Sequence, residues 1–499
     1  MVQSLLTLMG IVEADVMTTV QGMLRGEDHE GFISYIGIPY ATVSRKDGRF
    51  KRAGLAPFWQ GVREPRDLHC SPTSSVEDCL QLDVHVPTSG SGIWPVLVWV
   101  TGGSGRYNPG LLVRREVIVV LVHHRQGPLG FLCLNEEKVP GNAGIKDVVL
   151  ALRWVRDNII AFKGNSANVV IAGQGFGAAM IESLTLSPMA QGLYHGVILQ
   201  SGSVLAPWAF NYDAKERATT LAKMISDDDA AIVLSEANIG DLAEKSNKLD
   251  VPYFPFAICE DKSLRNEERL LFEAPIDILN GRKVDQIPMM IGYNTDEAYV
   301  FASALKDSKV MESLSKDISF LLPKELKFFN EREMTQVSGL TENMYFENNR
   351  SMSAVLSYHR DAYFISHIYR SARLHASSTS HPVYFYQFSY YGDVGVVPVR
   401  GVEKTGAAHS DELAYLFENR ELNGNDGEVQ ENLLRLWTNF VKYLNPTHKD
   451  PTQWDPLDPT NPRVFDIATE LMMMDFPHSR QARMWDDIFE KYYYSRNRK

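Results

Sequence analysis

A chain of 499 residues, 44% hydrophobic and 22% charged, has enough apolar material for a large buried core. Its formal charge of −12, with no long run of one sign, disfavours nucleic acid and anionic membrane surfaces as partners. Four cysteines are too few for a disulfide-built scaffold, and no pair has the C-x-x-C spacing of zinc or thioredoxin-like chemistry.

The chain opens on a short apolar run, Leu5 to Val12, followed by the small-residue pattern Val12-Glu13-Ala14. Residues 1–15 read as a secretory signal in preference to an N-terminal extension, which favours an extracellular over a cytoplasmic location. No stretch approaches the roughly 20 apolar residues of a membrane-spanning helix, so no membrane span is expected. Cys70 and Cys79 flank a polar, turn-like stretch, where a short disulfide loop is expected in preference to two free thiols. Cys133 and Cys259 sit in apolar surroundings and are expected as buried thiols.

Continuous apolar runs predict buried parallel strands at 96–100, 117–122, 169–172, 197–199, 288–291 and 383–388. Val149, Leu152, Val155 and Ile159 recur at helical spacing and predict a helix over 143–160. Strands and helices alternate over the first 300 residues, without an internal repeat or linker. That order predicts one α/β domain over 16–499, with helices on both faces of a large, mostly parallel mixed sheet.

The sharpest local signal is Gly173-Gln174-Gly175-Phe176-Gly177-Ala178, between the strand at 169–172 and an apolar helix. Gly173, Gly175 and Ala178 satisfy G-x-G-x-x-A, but dinucleotide binding also needs a carboxylate at the end of the next strand. That strand ends in Leu199-Gln200-Ser201, so no nucleotide cofactor is expected, and no other cofactor or metal. The same glycines fit the G-x-S-x-G elbow, a strained strand-to-helix turn that presents a nucleophile, with Gly175 at the nucleophile's position. An acid and then a histidine should follow, and Asp296-Glu297 and Ala408-His409 stand beyond later strands.

Successive motifs make the chain resemble the type-B carboxylesterase and cholinesterase family of α/β-hydrolases from about residue 16 onward. They include Gly37-Ile38-Pro39-Tyr40, Glu77-Asp78-Cys79-Leu80, Gly127-Pro128-Leu129-Gly130-Phe131, Gln200-Ser201-Gly202 and Leu436-Trp437-Thr438-Asn439-Phe440. Met484-Trp485-Asp486-Asp487-Ile488-Phe489 looks most like insect carboxylesterases. The resemblance implies Glu297 as triad acid, His409 as triad base, Ser201 as their support, and Arg49 with Glu77 as a buried salt bridge.

The departures fall where the chemistry should be. The family elbow G-E-S-A-G is here Gly173-Gln174-Gly175-Phe176-Gly177, and glycine has no side chain to attack a carbonyl. The oxyanion-hole stretch H-G-G-G-F is Thr101-Gly102-Gly103-Ser104-Gly105, which alters the positions of Gly103 and Ser104. Phe176 replaces a small residue whose N–H completes that hole, and its ring is expected to obstruct it. The sequence therefore predicts a non-catalytic member that binds a lipophilic small molecule as a monomer or homodimer. The alternatives are an adhesion-type surface that binds a protein partner, and a weak residual ester hydrolase.

Three smaller features read as structural. His123-His124 is expected as a hydrogen-bonded pair, since neighbours on a strand point to opposite faces. Met472-Met473-Met474 is expected in the core or at a sheet edge, and Tyr492-Tyr493-Tyr494 at the end of an amphipathic C-terminal helix. Asn349-Arg350-Ser351 is the single glycosylation sequon.

Overall fold

The computed structural model describes residues 16–44, 48–66, 79–90, 92–102, 107–251, 254–265, 267–307, 310–314, 317–347, 350–418 and 420–497. Eleven strands among them form one sheet: β1 (Glu27–His29), β2 (Phe32–Pro39), β3 (Gln81–Pro87), β4 (Trp94–Val100), β5 (Ile118–Val122), β6 (Gly164–Gln174), β7 (Gly196–Gln200), β8 (Met289–Asn294), β9 (Val383–Phe388), β10 (Arg463–Ile467) and β11 (Leu471–Asp475). Their order across the sheet is β11-β10-β9-β8-β7-β6-β4-β5-β3-β2-β1. From β5 to β10 every neighbouring pair is parallel. The strands outside that block pair antiparallel.

The parallel block follows directly from its residues. Every residue of β5 and β7 is buried, as both faces of a covered sheet require. Along β4, Val96, Val98 and Val100 join the core on one face, while Leu97 and Trp99 join the core on the other. The first face packs against α1 (Ala143–Asn158), α2 (Phe176–Thr185) and α3 (Ser366–Ser378). The second packs against α4 (Asp411–Phe417) and α5 (Gly424–Tyr443), through residues such as Leu416, Leu433 and Trp437. All six expected strands and the expected helix are present, α1 ending two residues early.

The expectation of two buried thiols is corrected. Cys133 and Cys259 are buried as expected, but they form a disulfide across 126 residues of chain. Gly141 lies against the bridge, where an added Cβ would stand 2.6 Å from Sγ of Cys133 and 2.7 Å from Sγ of Cys259. Next to it, the Asn142 side chain accepts from the N–H of Cys259 at 3.0 Å and donates to its carbonyl at 2.8 Å. Cys79 is also disulfide-bonded, but Cys70, and with it the expected pairing, lies outside the described residues. Residues 1–15 and Asn349 lie outside them too. Among the described residues no helix is long and apolar enough to cross a membrane, and no side-chain cluster could hold a metal ion.

His123 faces Asp83 at 3.1 Å, and His124 lies between the carbonyls of Thr101 and Arg125. The three methionines lie on the edge strand β11. The three tyrosines follow α6 (Ser479–Phe489) and are all buried, Tyr493 donating to the carbonyl of Phe210 and Tyr494 to that of Leu205.

Candidate functional site

The site forms where β6 turns into α2. Gly175 is the turn itself, with φ 59° and ψ −121°, a backbone that L side chains rarely adopt. Its N–H donates to the carbonyl of Gln200 at 2.8 Å, tying the turn to β7. Gly177 allows the helix to approach β4, since a Cβ there would lie 2.7 Å from the carbonyl oxygen of Val100. The helix packs at this distance because position 177 has no side chain.

His409 faces the turn. A Cβ built on Gly175 would stand 3.0 Å from its Nε2. On the far side of the ring, Nδ1 donates to Oε2 of Glu297 at 2.5 Å, and that acid is fully buried. Glu297 also accepts from the backbone N–H of Asn294 at 2.8 Å. The structure thus brings together the nucleophile position, the histidine and the acid from loops far apart in sequence.

Two loops hold the histidine and the acid in register. Asp296 and Ala408 form a parallel backbone bridge, with the N–H of Asp296 donating to the carbonyl of Ala407 at 2.7 Å. Asp296 Oδ2 accepts from the backbone N–H groups of Thr405 and Gly406. Behind the histidine, Asp411 accepts from the N–H of Ala408 at 2.7 Å and from the buried Lys404 ammonium at 2.7 Å.

Ser201 is the residue expected to support the pair. Its hydroxyl is buried and has no hydrogen-bond partner among the described residues. A second buried acid, Glu412, occupies the space behind the pair. It accepts from Gln200 at 2.9 Å and from Asn294 Nδ2, which also donates to the carbonyl of Ala408 at 2.7 Å. Gln200 in turn accepts from the Trp437 indole at 2.8 Å. Glu412 was visible in the sequence only as a neighbour of His409, and its spacing carries no sign of the residues it meets.

Gln174, the last residue of β6, is the other member that the sequence reading missed. Its amide nitrogen lies 3.0 Å from Nε2 of His409, against the ring atom that a nucleophilic hydroxyl would approach. Phe176 turns its ring onto Phe131 at 4.9 Å and Phe254 at 5.3 Å. Phe254 meets Trp208, Trp208 meets Phe364, and Phe364 packs 5.2 Å from the His409 ring. A continuous chain of aromatic contacts therefore runs from Phe176 round to His409. Cavities of about 670 Å³ beside Phe210 and Lys215, and of about 450 Å³ beside Thr185 and Asp285, open elsewhere.

Gly103 and Ser104 lie outside the described residues, as does Glu77. Arg49, expected to pair with Glu77, donates to the carbonyls of Ala237 at 2.5 Å and Leu234 at 3.5 Å.

The electrostatics of the site give a test. Burial disfavours the His409 imidazolium, but the charge and hydrogen bond of Glu297 outweigh it and hold the ring above its ordinary value. Burial, reinforced by the charge of Glu297, pushes Glu412 up to about 7. A raised acid stabilises the fold fully below its unfolded value near 4.5 and loses that contribution as the pH rises through about 7. Stability is expected to fall by up to about 3 kcal/mol across that window from this group alone. Denaturant midpoints from pH 4.5 to 8 read it directly, and Glu412→Gln should flatten the acidic part of the curve. An unchanged slope in the variant would show that Glu412 does not titrate there.

Known proteins resemble the chain over most of its length. The sequence model of the carboxylesterase family matches residues 13–485. Juvenile hormone esterase of Tribolium castaneum is 28% identical over 494 residues, which cover 88% of this chain and 84% of that protein. Pyrethroid hydrolase Ces2e of Rattus norvegicus is also 28% identical, over 89% of this chain and 84% of its own length. The crystal structure of juvenile hormone esterase from Manduca sexta, with OTFP covalently attached, superposes with a TM-score of 0.84 at 26% identity, covering 96% of this chain and 99% of that one.

Proposed function

The chain belongs to the carboxylesterase family and has its α/β-hydrolase fold, and from that premise we propose that it is a non-catalytic member that binds a lipophilic small molecule. The observation that carries the reading is Gly175, which holds the elbow conformation opposite His409 with no atom to deliver. Acyl transfer needs a nucleophile to form the covalent intermediate, and removing one costs on the order of 10⁶ in turnover. That factor is roughly 8 kcal/mol of barrier, more than a histidine–glutamate pair supplies by activating water at an altered oxyanion site.

The aromatic rings supply the binding side of the proposal. Phe254 is 47% exposed and packs against both Phe176 and Trp208, so an apolar ligand has an aromatic wall to meet. A second reading, adhesion-type binding of a protein partner on the outer surface, draws support from the same rings, because they pack on one another between Phe176 and His409. The buried disulfide suits an oxidising compartment and supports an extracellular location under either reading.

Incubation with a fluorophosphonate, followed by intact mass, is expected to give no adduct; an adduct near His409 would overturn the reading. A lipophilic ester titrated against tryptophan fluorescence should give a saturable change, weakened by Phe254→Ala. Absence of saturation would transfer the proposal to the outer surface.

A further inference from the structure

We propose that Gln174 has taken the missing hydroxyl's place on His409, so that elbow, histidine and acid form a closed hydrogen-bonded chain without chemistry. The inference rests on the reading that this protein does not hydrolyse esters, and assigns a positioning role to a residue outside the expected triad.

The geometry is specific. The Nδ1–H of His409 is committed to Glu297 at 2.5 Å. Once the ring is deprotonated, above its raised titration, it has one acceptor left, the Nε2 lone pair. The Gln174 amide nitrogen lies 3.0 Å from that atom and donates to it. A Cβ on Gly175 would also stand 3.0 Å from it, so the amide and a hydroxyl carried at 175 would compete for one lone pair. Gln174 is itself only 8% exposed, and its place at the end of β6 limits how far its side chain can withdraw.

The residue type matters as much as the distance. A serine hydroxyl donates to Nε2 and then surrenders its proton as its oxygen attacks. A carboxamide gives the same hydrogen bond, but its nitrogen lone pair is delocalised into the carbonyl and its proton is not transferable near neutral pH. The histidine is therefore satisfied at both nitrogens and poised for nothing. A glutamate at this position, as in the G-E-S-A-G elbow, has no N–H to give when ionised and leaves the Nε2 lone pair free. Glycine at 175 and glutamine at 174 thus form one coordinated change: the first removes the nucleophile, and the second fills its hydrogen bond.

The test compares Gly175→Ser with the double variants Gly175→Ser/Gln174→Glu and Gly175→Ser/Gln174→Ala. The rate of fluorophosphonate labelling by intact mass is the readout. Both double variants should label about tenfold faster than the single one, the factor that one neutral hydrogen bond supplies. Equal rates would overturn the inference. A serine-free measurement guards against misfolding of the Gly175 variants: carbethoxylation of His409 by diethyl pyrocarbonate, followed by peptide mass. Gln174→Ala should react about tenfold faster than the wild type, again by release of one hydrogen bond. An unchanged rate would overturn the inference here too. Labelling of the wild type by the fluorophosphonate would instead defeat the non-catalytic reading, an outcome separate from the ratio between Gln174 variants.

Discussion

Replacing Cys133 and Cys259 together by alanine should lower the unfolding free energy by about 5 kcal/mol, because their bridge closes a loop of 126 residues. The loss falls mainly on the unfolded chain, which regains the freedom that the cross-link removes. The folded state keeps a second tie at the same place, the paired hydrogen bonds between the Asn142 side chain and the backbone of Cys259. The variant is therefore expected to fold to the same structure at a much lower denaturant midpoint. The slope should rise slightly, because an uncrosslinked chain exposes more surface on unfolding. A midpoint equal to that of the oxidised wild type would mean that the bridge does not constrain the unfolded ensemble.

The second large effect concerns Gly175→Ser. The substitution restores a nucleophile and nominally removes the barrier of roughly 8 kcal/mol attributed to its loss. Strong ester hydrolysis is nevertheless not expected from it. Phe176 and Ser104 still depart from the family's oxyanion-site sequence, and blocking or misplacing one donor there costs about 10² to 10³ in rate. Gln174 still holds the histidine atom that must take the serine's proton. The variant should also be less stable, since φ is 59° at this position and the new Cβ meets Nε2 of His409 at 3.0 Å. A non-glycine residue in such a backbone costs about 1–3 kcal/mol. Turnover of p-nitrophenyl acetate should stay at least about a hundredfold below that of an active relative, and added Phe176→Ala and Ser104→Gly should raise it. Turnover equal to an active relative from the single substitution would refute this account.

The centre of the sheet was legible in the sequence because β4 to β9 carry unbroken apolar runs, which only a sheet covered on both faces requires. Its margins were not. β3 reads Gln81-Leu82-Asp83-Val84-His85, yet Asp83 and His85 are both buried. They are paid for by partners that no local pattern shows: Asp83 meets His123 and the N–H of Gly37, and His85 meets Ser34. The disulfide was hidden for a related reason, since apolar surroundings suit a buried thiol and a buried bridge equally. Gly175, Glu297 and His409 could be named from the sequence because turn chemistry and motif order both point to them. Gln174 and Glu412 stood beside them unremarked, because their roles depend on side-chain reach across the fold.

The bridge between Asp296 and Ala408 has a mechanical consequence. The acid and histidine loops are joined through backbone, through the Asp296 carboxylate, and through Asn294 to the carbonyl of Ala408. Glu297 and His409 are therefore expected to move as one plate, keeping their separation if the gap to Gly175 widens. Hydrogen exchange is then expected to show the amides of Asp296, Thr405 and Gly406 opening with a single free energy.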